Sequence, residues 1–341
     1  MCGIVGYIGP RDATPLILNG LQRLEYRGYD SAGIAVMQNG EIAIRRDVGK
    51  LNNLVQMVND KPLNGRIGIG HTRWATHGVP SPRNAHPHLS ASGRTVVVHN
   101  GIVENFRELR ADLQASGVPF SSETDTEVIV HLVQRERDAG HDVTEATRRA
   151  VSLLRGAHAI VVLSADQPDR LVAVRIGNAG GVALGIGHGE MFVASDIPAI
   201  LEHTRRMIFL ENRQMATITR DAYQVQTLDG EPVDAEIHNI PWDPVSAARG
   251  EFKHFMQKEI HEQARALTDT LRGRVDFQHG CVDLPDLKIS EEDARRLKRI
   301  VTVACGTSAY SGLVGKFLIE ELARIPVEVD YGSEYRYRDP I

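Results

Sequence analysis

Hydrophobic positions in the first 220 or so residues fall into many short runs, rich in Val and Ile and bounded by Gly, Asn, Asp or Pro. That pattern predicts strands, over residues 2–8, 31–38, 67–73, 95–100, 158–164, 170–175, 190–195 and 215–219. Gln38-Asn39-Gly40-Glu41 reads as an Asn-Gly hairpin turn. Four stretches carry a helical period instead. Asp12 caps one that holds Leu16, Leu21 and Leu24, and a second runs from Glu104 through Phe106, Leu109 and Leu113 to near Gly117. A third starts at Thr124 or Asp125, carries Val128, Ile129, Leu132 and Val133, and stops at Gly140; a fourth spans 144–156. Clustered strands with helices between the clusters predict sheets covered by helix layers, not an alternating parallel fold.

The texture changes from about Glu236. Pro241, Trp242, Asp243 and Pro244 form a predicted linker, followed by an amphipathic stretch over 251–271. A buried-type strand over 299–304 then runs into Cys305-Gly306-Thr307-Ser308 and an apolar helix through Leu322, with a short strand over 326–330 beyond it. No internal repeat or low-complexity tract is visible. The expected organisation is a first domain over 2–220, its end plus a linker and helix over 221–290, and a second fold beginning at 291–341. A chain of 341 residues fits two domains.

Composition narrows the class. Apolar residues at 42% and charged residues at 24% are ordinary for a globular protein with a core. A net charge of −5 gives no reason to expect nucleic acid or an anionic membrane as partner. No apolar run approaches the roughly 18 residues of a membrane span, and the glycine-broken N-terminus is not a signal peptide. Three cysteines without paired spacing, Cys2, Cys281 and Cys305, argue against a disulfide framework and for the cytoplasm. Gly185-Ile186-Gly187-His188-Gly189 lacks dinucleotide spacing and reads as a turn. His86-Pro87-His88 raises the question of a metal, but no Cys/His set has zinc-type spacing. No metal and no cofactor is expected.

Position makes Cys2 informative. A small residue there permits removal of Met1, which leaves a thiol and a free α-amine on one residue. That amine, with an ordinary pKa near 7.7–8.0, can serve as base for its own thiol. Taken alone, Cys2 reads equally as a small residue in a first strand. The motifs around it decide. Met1-Cys2-Gly3-Ile4-Val5-Gly6 resembles the opening of class II, N-terminal-nucleophile glutamine amidotransferases. Leu24-Glu25-Tyr26-Arg27-Gly28-Tyr29-Asp30-Ser31-Ala32-Gly33 resembles the version in the glutamine–fructose-6-phosphate aminotransferase (glucosamine-6-phosphate synthase) family. His71-Thr72-Arg73-Trp74-Ala75-Thr76-His77-Gly78, His99-Asn100-Gly101 and Ser122-Glu123-Thr124-Asp125-Thr126-Glu127 follow in the same order and spacing.

The resemblance implies an α+β fold: an αββα sandwich followed by the start of a sugar isomerase (SIS) fold, a doubly wound parallel α/β sheet. It implies glutamine hydrolysis by Cys2 in hexosamine biosynthesis. Asn100 and the Gly101 N–H would be the oxyanion donors, although Asn-Gly is most often a plain turn. Arg73 offers a fork for the substrate α-carboxylate and Asp125 a charge for the α-ammonium, with Thr76 and His77 beside Arg73. Asp125 also fits a helix N-cap. Trp74 resembles the family's lid residue, and surface packing is its bland reading. Arg27 fits either a neighbour of the nucleophile or structural support. The segment Asn178-Ala179-Gly180-Gly181 departs from the family's Ser-Pro-Leu form and reads as loop variation away from the catalytic motifs.

Val301-Thr302-Val303-Ala304-Cys305-Gly306-Thr307-Ser308 resembles the family's first sugar-phosphate loop, where a helix N-terminus and hydroxyls hold an anion. The second phosphate loop, the catalytic Glu and His and the sugar-bonding Lys of the family have no counterpart after Ser333. The expectation is therefore a fragment or split-gene piece that acts as a glutaminase, with an incomplete fructose 6-phosphate site and a homodimer in the full-length family. Two other readings compete: another class II amidotransferase of the phosphoribosylpyrophosphate type, and a non-catalytic sugar-sensing or assembly protein. No phosphoribosyl or adenylate loop is visible, and the intact Cys2, Arg73, Asn100, Gly101 and Asp125 weigh against the non-catalytic reading.

Overall fold

A computed structural model describes residues 2–241, 252, 254–276, 278–282, 284, 287, 289–338 and 340–341. The chain divides into two compact units, Met1–Glu251 and Phe252–Ile341.

The first unit opens with β1 (Gly3–Ile8), α1 (Ala13–Arg23), β2 (Ser31–Gln38), β3 (Glu41–Val48), α2 (Leu51–Asp60) and β4 (Ile67–Arg73). Next come β5 (His88–Leu89), β6 (Thr95–Gly101), α3 (Phe106–Ala115), α4 (Glu127–Asp138) and α5 (Val143–Ser152). The longer strands that follow are β7 (His158–Ser164), β8 (Arg170–Ile176), β9 (Ala183–Ile186) and β10 (Met191–Ala194). Shorter ones close the unit: β11 (Arg206–Phe209), β12 (Gln214–Thr219), β13 (Tyr223–Thr227), β14 (Pro232–Val233) and β15 (His238–Asn239).

Among the described residues these strands form two antiparallel sheets, in the orders β15-β11-β9-β10-β1-β4-β2-β3 and β14-β13-β12-β8-β7-β6-β5. Alternation along each strand sends successive side chains to opposite faces. Ile4 and Ile8 of β1 meet Val96 and Val98 of β6, Val161 and Leu163 of β7, and Leu171 of β8 in one core between the sheets. Val5 and Tyr7, on the other face of β1, pack with Ile17 and Leu21 of α1 and Leu54 of α2. Val97, Ile160 and Val172 likewise face α4 and α5. Two sheets back to back, each with helices outside, make an αββα sandwich. Both faces of the central strands are covered, which is why they read as continuous apolar runs; each fully buried Val or Leu contributes about 1.5–3 kcal/mol.

Local signals account for several boundaries. Asp12 accepts a hydrogen bond from the Thr14 amide at 3.2 Å and starts α1. Asn39 and Gly40 both have positive φ, 54° and 82°, the requirement of a type I′ turn, and β2 pairs with β3 up to Gln38 opposite Glu41. The expected turn at 185–189 is partly corrected: Gly185 and Ile186 lie in β9, paired with Phe192 and Met191, and the turn lies beyond Ile186.

The second unit holds α6 (Phe255–Leu271), the paired short strands β16 (Val275–Asp276) and β17 (Cys281–Val282), and α7 (Glu291–Arg296). After these come β18 (Ile300–Ala304), α8 (Thr307–Leu322), β19 (Val327–Tyr331) and α9 (Gly332–Arg338). β18 and β19 pair in parallel with α8 as the crossover, a βαβ unit. Gly306 caps α8 with φ 59°. Of the expected linker only Pro241 is described; Trp242, Asp243 and Pro244 lie outside the described residues, as does Glu251 at the head of the expected helix. No helix among the described residues is long and apolar enough to cross a membrane.

Candidate active site

Sheet register brings the first two elements of the site together. Gly3 lies opposite Thr72 in the β1–β4 ladder, so Cys2 emerges beside Arg73. The Cys2 sulfur accepts a hydrogen bond from the Trp74 amide at 3.2 Å. The other sheet supplies Asn100 at the end of β6, whose Nδ2 donates to the Cys2 carbonyl at 3.2 Å. Gly101 follows with φ 132°, and a Cβ there would stand 2.2 Å from the Ala157 carbonyl oxygen, so only glycine fits.

A cavity of about 270 Å³ opens over these residues. Cys2, Arg73, Trp74, Thr76, Asn100, Gly101 and Asp125 line it, seven of the residues singled out from sequence. His86, His99, Ile102, Thr124 and Thr126 also line it, together with Asn178 and Ala179. The last two correct the expectation that this segment lies away from the catalytic motifs. The connection after β8 folds back over the end of β6: a Cβ on Gly180 would sit 3.8 Å from both Arg27 Nη2 and Asn100 Nδ2.

Arg73 is buried, and its Nη2 donates to the carbonyls of His77 and Gly78, the latter at 3.1 Å. Its Nη1 is buried without a hydrogen-bond partner among the described residues. His77 does not line the cavity but stands 3.9 Å from the Asp125 carboxylate. Asp125 Oδ2 accepts the Val103 amide at 2.8 Å. The N-cap of α4 is Thr126, without a side-chain capping bond, and Asp125 just before it is held by the Val103 amide of the β6–α3 connection as well as by backbone amides at the helix start. Arg27 lies outside the cavity lining and pairs with Asp196 at 2.7 Å. Trp74 is half-exposed and meets Tyr29 edge-on, ring centroids 5.4 Å apart. Cys305, Gly306, Thr307 and Ser308 belong to the second unit, at the junction of β18 and α8.

Burial pushes the Cys2 thiol up, against the Trp74 hydrogen bond and the Arg73 charge that favour the thiolate. The resting sulfur is therefore protonated and needs a base. Burial also raises Asp125, with the Val103 amide acting the other way.

Beneath the cavity lies a layer of buried histidines. Desolvation lowers His71 and His88 to about 3 and His158 to about 4, and holds His86 and His99 well below the ordinary value. All five rings are neutral, and the hydrogen bonds of three of them, His86, His99 and His158, run one way. The Arg155 carbonyl can only accept, so His158 Nε2 donates to it at 3.2 Å. His99 Nε2 then donates to His158 Nδ1 at 3.1 Å, Thr126 Oγ1 to His99 Nδ1 at 2.9 Å, and His86 Nε2 to Thr126 at 3.0 Å. His86, His88 and His99 are spent on hydroxyls and on a neighbouring ring, His158 on His99 and the Arg155 carbonyl, and His71 on the Asn100 side chain and the His99 carbonyl. Among the described residues no group of three or more His, Cys, Asp or Glu side chains is arranged to hold a metal.

Residues 59–248, more than half of the chain, match the family model described as a glutamine amidotransferase domain. The chain belongs to that family. It is 52% identical over all 341 residues to the glutamine–fructose-6-phosphate aminotransferase (isomerizing) of Symbiobacterium thermophilum, and 49% identical to that of Caldanaerobacter subterraneus subsp. tengcongensis. The chain spans about half the length of these curated relatives, 55% of each. Among solved structures it resembles the glutamine phosphoribosylpyrophosphate amidotransferase from B. subtilis, with a TM-score of 0.61 and 20% identity. That match covers 96% of this chain and 65% of the other, and at such identity it speaks for the fold alone.

Sequence reasoning missed the family site's lower and outer walls. His86 was visible only as half of a His-Pro-His, and the signal for Asn178 lay in its departure from the family pattern.

Proposed function

We propose that this chain hydrolyses the side-chain amide of glutamine through Cys2, with Met1 removed. The observation that carries this reading is the convergence, on one cavity, of a thiol, an amide donor, a guanidinium and a carboxylate. These are the groups that a glutamine amide and its two charged ends require. Arg73 takes the α-carboxylate with its unpartnered Nη1, and Asp125 takes the α-ammonium.

In the reaction, the Cys2 α-amine removes the thiol proton and the sulfur attacks the amide carbon, forming a C–S bond. The carbonyl oxygen becomes an oxyanion facing Asn100 Nδ2 and the Gly101 N–H, donors worth about 2.7–4 kcal/mol each in such sites. The amine's proton passes to the leaving nitrogen, the C–N bond breaks, and ammonia departs. Water then cleaves the thioester to glutamate and free thiol. Trp74, half-exposed, and Asn178, both in the cavity lining, restrict access.

The similarity to the aminotransferases, together with the 305–308 loop on a helix N-terminus, supports fructose 6-phosphate as the acceptor in the whole protein, a homodimer in the cytoplasm. An electrophilic glutamine analogue tests the first half. Folded protein lacking Met1 is expected to take one adduct, at Cys2, that excess glutamine prevents and that abolishes ammonia release. Protein that neither labels nor releases ammonia would overturn the reading.

A further inference from the structure

His71 lies on β4 and is fully buried, yet none of the steps above uses it. Its Nε2 faces two oxygens, Asn100 Oδ1 at 3.0 Å and the His99 carbonyl at 3.1 Å. The carbonyl can only accept, so Nε2 carries a hydrogen and the Asn100 atom beside it is the amide oxygen. This decides which end of the Asn100 amide points where: with Oδ1 held on His71, Nδ2 is the end left for the Cys2 carbonyl and the cavity. The opposite ring nitrogen, Nδ1, has no hydrogen-bond partner among the described residues, and the ring stacks on His86 with centroids 4.2 Å apart. A neutral ring is the form that tolerates this stack against another buried imidazole.

We propose that His71 is a positioning residue for glutamine hydrolysis, whose Nε2–H locks the Asn100 amide so that it offers N–H rather than C=O to the oxyanion. The proposal rests on the reading of Asn100 as oxyanion donor. An amide turned by half a rotation would place an oxygen lone pair against the developing negative charge. The side chain would then oppose the step it otherwise assists. Locking the amide before substrate arrives also removes its reorientation from the reaction step. His99, the residue before Asn100 on β6, is tied instead to Thr126, so the two histidines do different work: His99 holds its strand and His71, from β4 of the other sheet, holds the amide.

The test is glutamine hydrolysis by the full chain lacking Met1, with Cys2 alkylation by iodoacetamide as the check that the fold and thiol are intact. Replacing the donor but keeping the ring, His71→Phe, is expected to lower kcat by at least about tenfold and by at most the 10²–10³-fold typical of a lost oxyanion donor, with KM within about twofold. His71→Gln, whose amide N–H can reach where Nε2 was, is expected to keep kcat within about threefold. In an Asn100→Ala background, His71→Phe should cost less than about twofold more, because the amide it orients is gone. If the Phe variant fails to fold, His71→Met removes the donor with a more adaptable side chain and the same thresholds apply. A folded donor-less variant with unchanged kcat overturns the proposal, as does a Gln variant as slow as the Phe variant, or full additivity with Asn100→Ala. An Asn100→Ala variant that is itself fully active instead overturns the reading of the site on which the proposal depends.

Discussion

Cys2 stands just before a strand and Cys305 just after one, each with a glycine as the next residue, and the similarity ends there. Around Cys2 converge groups from positions 73, 100, 125 and 178, carried by both sheets of the first unit, and the sulfur is hydrogen-bonded and set in a cavity. Around Cys305 the chemistry is local: an exposed thiol, a glycine cap and the hydroxyls of the next two residues. The first arrangement exists only because two sheets are packed face to face with a fixed register. The second needs nothing more than one strand feeding one helix. A cavity fed by several elements is a tertiary object, whereas a loop at one helix start is nearly a secondary one.

The sharpest separation between the two regions is expected in acid. The five buried histidines of the first unit have folded-state pKa values depressed below those of the unfolded chain. The unfolded chain therefore binds protons that the folded unit refuses. The stability they confer is full above about pH 6.5 and is lost as pH falls toward 3–4. Protons bound by the unfolded chain alone therefore lower the first unit's stability progressively below about pH 6.5. Denaturant titration followed by circular dichroism should give a lower midpoint for the first unit at pH 5 than at pH 7. Equal midpoints at the two pH values would mean that the folded unit takes up these protons as readily as the unfolded chain.

Catalysis should divide the cysteines next. Cys2→Ala is expected to reduce ammonia release by at least about 10⁴-fold, while Cys305→Ala stays within about twofold. A Cys305 variant that loses glutaminase activity would break the comparison outright. Core packing gives the smallest contrast. Leu163, fully buried between the sheets, should cost about 2–5 kcal/mol as Leu163→Ala, and Leu318 on α8, half-exposed, less than about 0.5 kcal/mol as Leu318→Ala, by denaturant titration.

Much of the first unit was legible because its signals are local. The strands 31–38, 67–73 and 158–164 have the bounds read from their apolar runs, and Asn39-Gly40 specified its turn. Helix α2 escaped notice although Leu51, Leu54 and Val58 sit at helical spacing. It has no capping side chain at Lys50 and only ten residues over which to show a period. Strands β14 and β15, two residues each, are strands only because a neighbouring strand accepts them. At the site, Cys2, Arg73, Asn100 and Asp125 could be read because motifs carry them. Asn178, His71 and Thr126 could not, since their significance comes from what lies across the sheet, and no spacing along the chain encodes that.

The one-way run of hydrogen bonds from His86 through Thr126, His99 and His158 stops at the Arg155 carbonyl, and this has an electrical consequence. A proton handed in at the cavity end would have to leave through an oxygen that does not take up protons at any physiological pH. The layer is a dielectric backing, not a conductor. In the proposed hydrolysis, a proton lifted from the thiol has no exit through that floor, and the departing nitrogen is left as its natural destination.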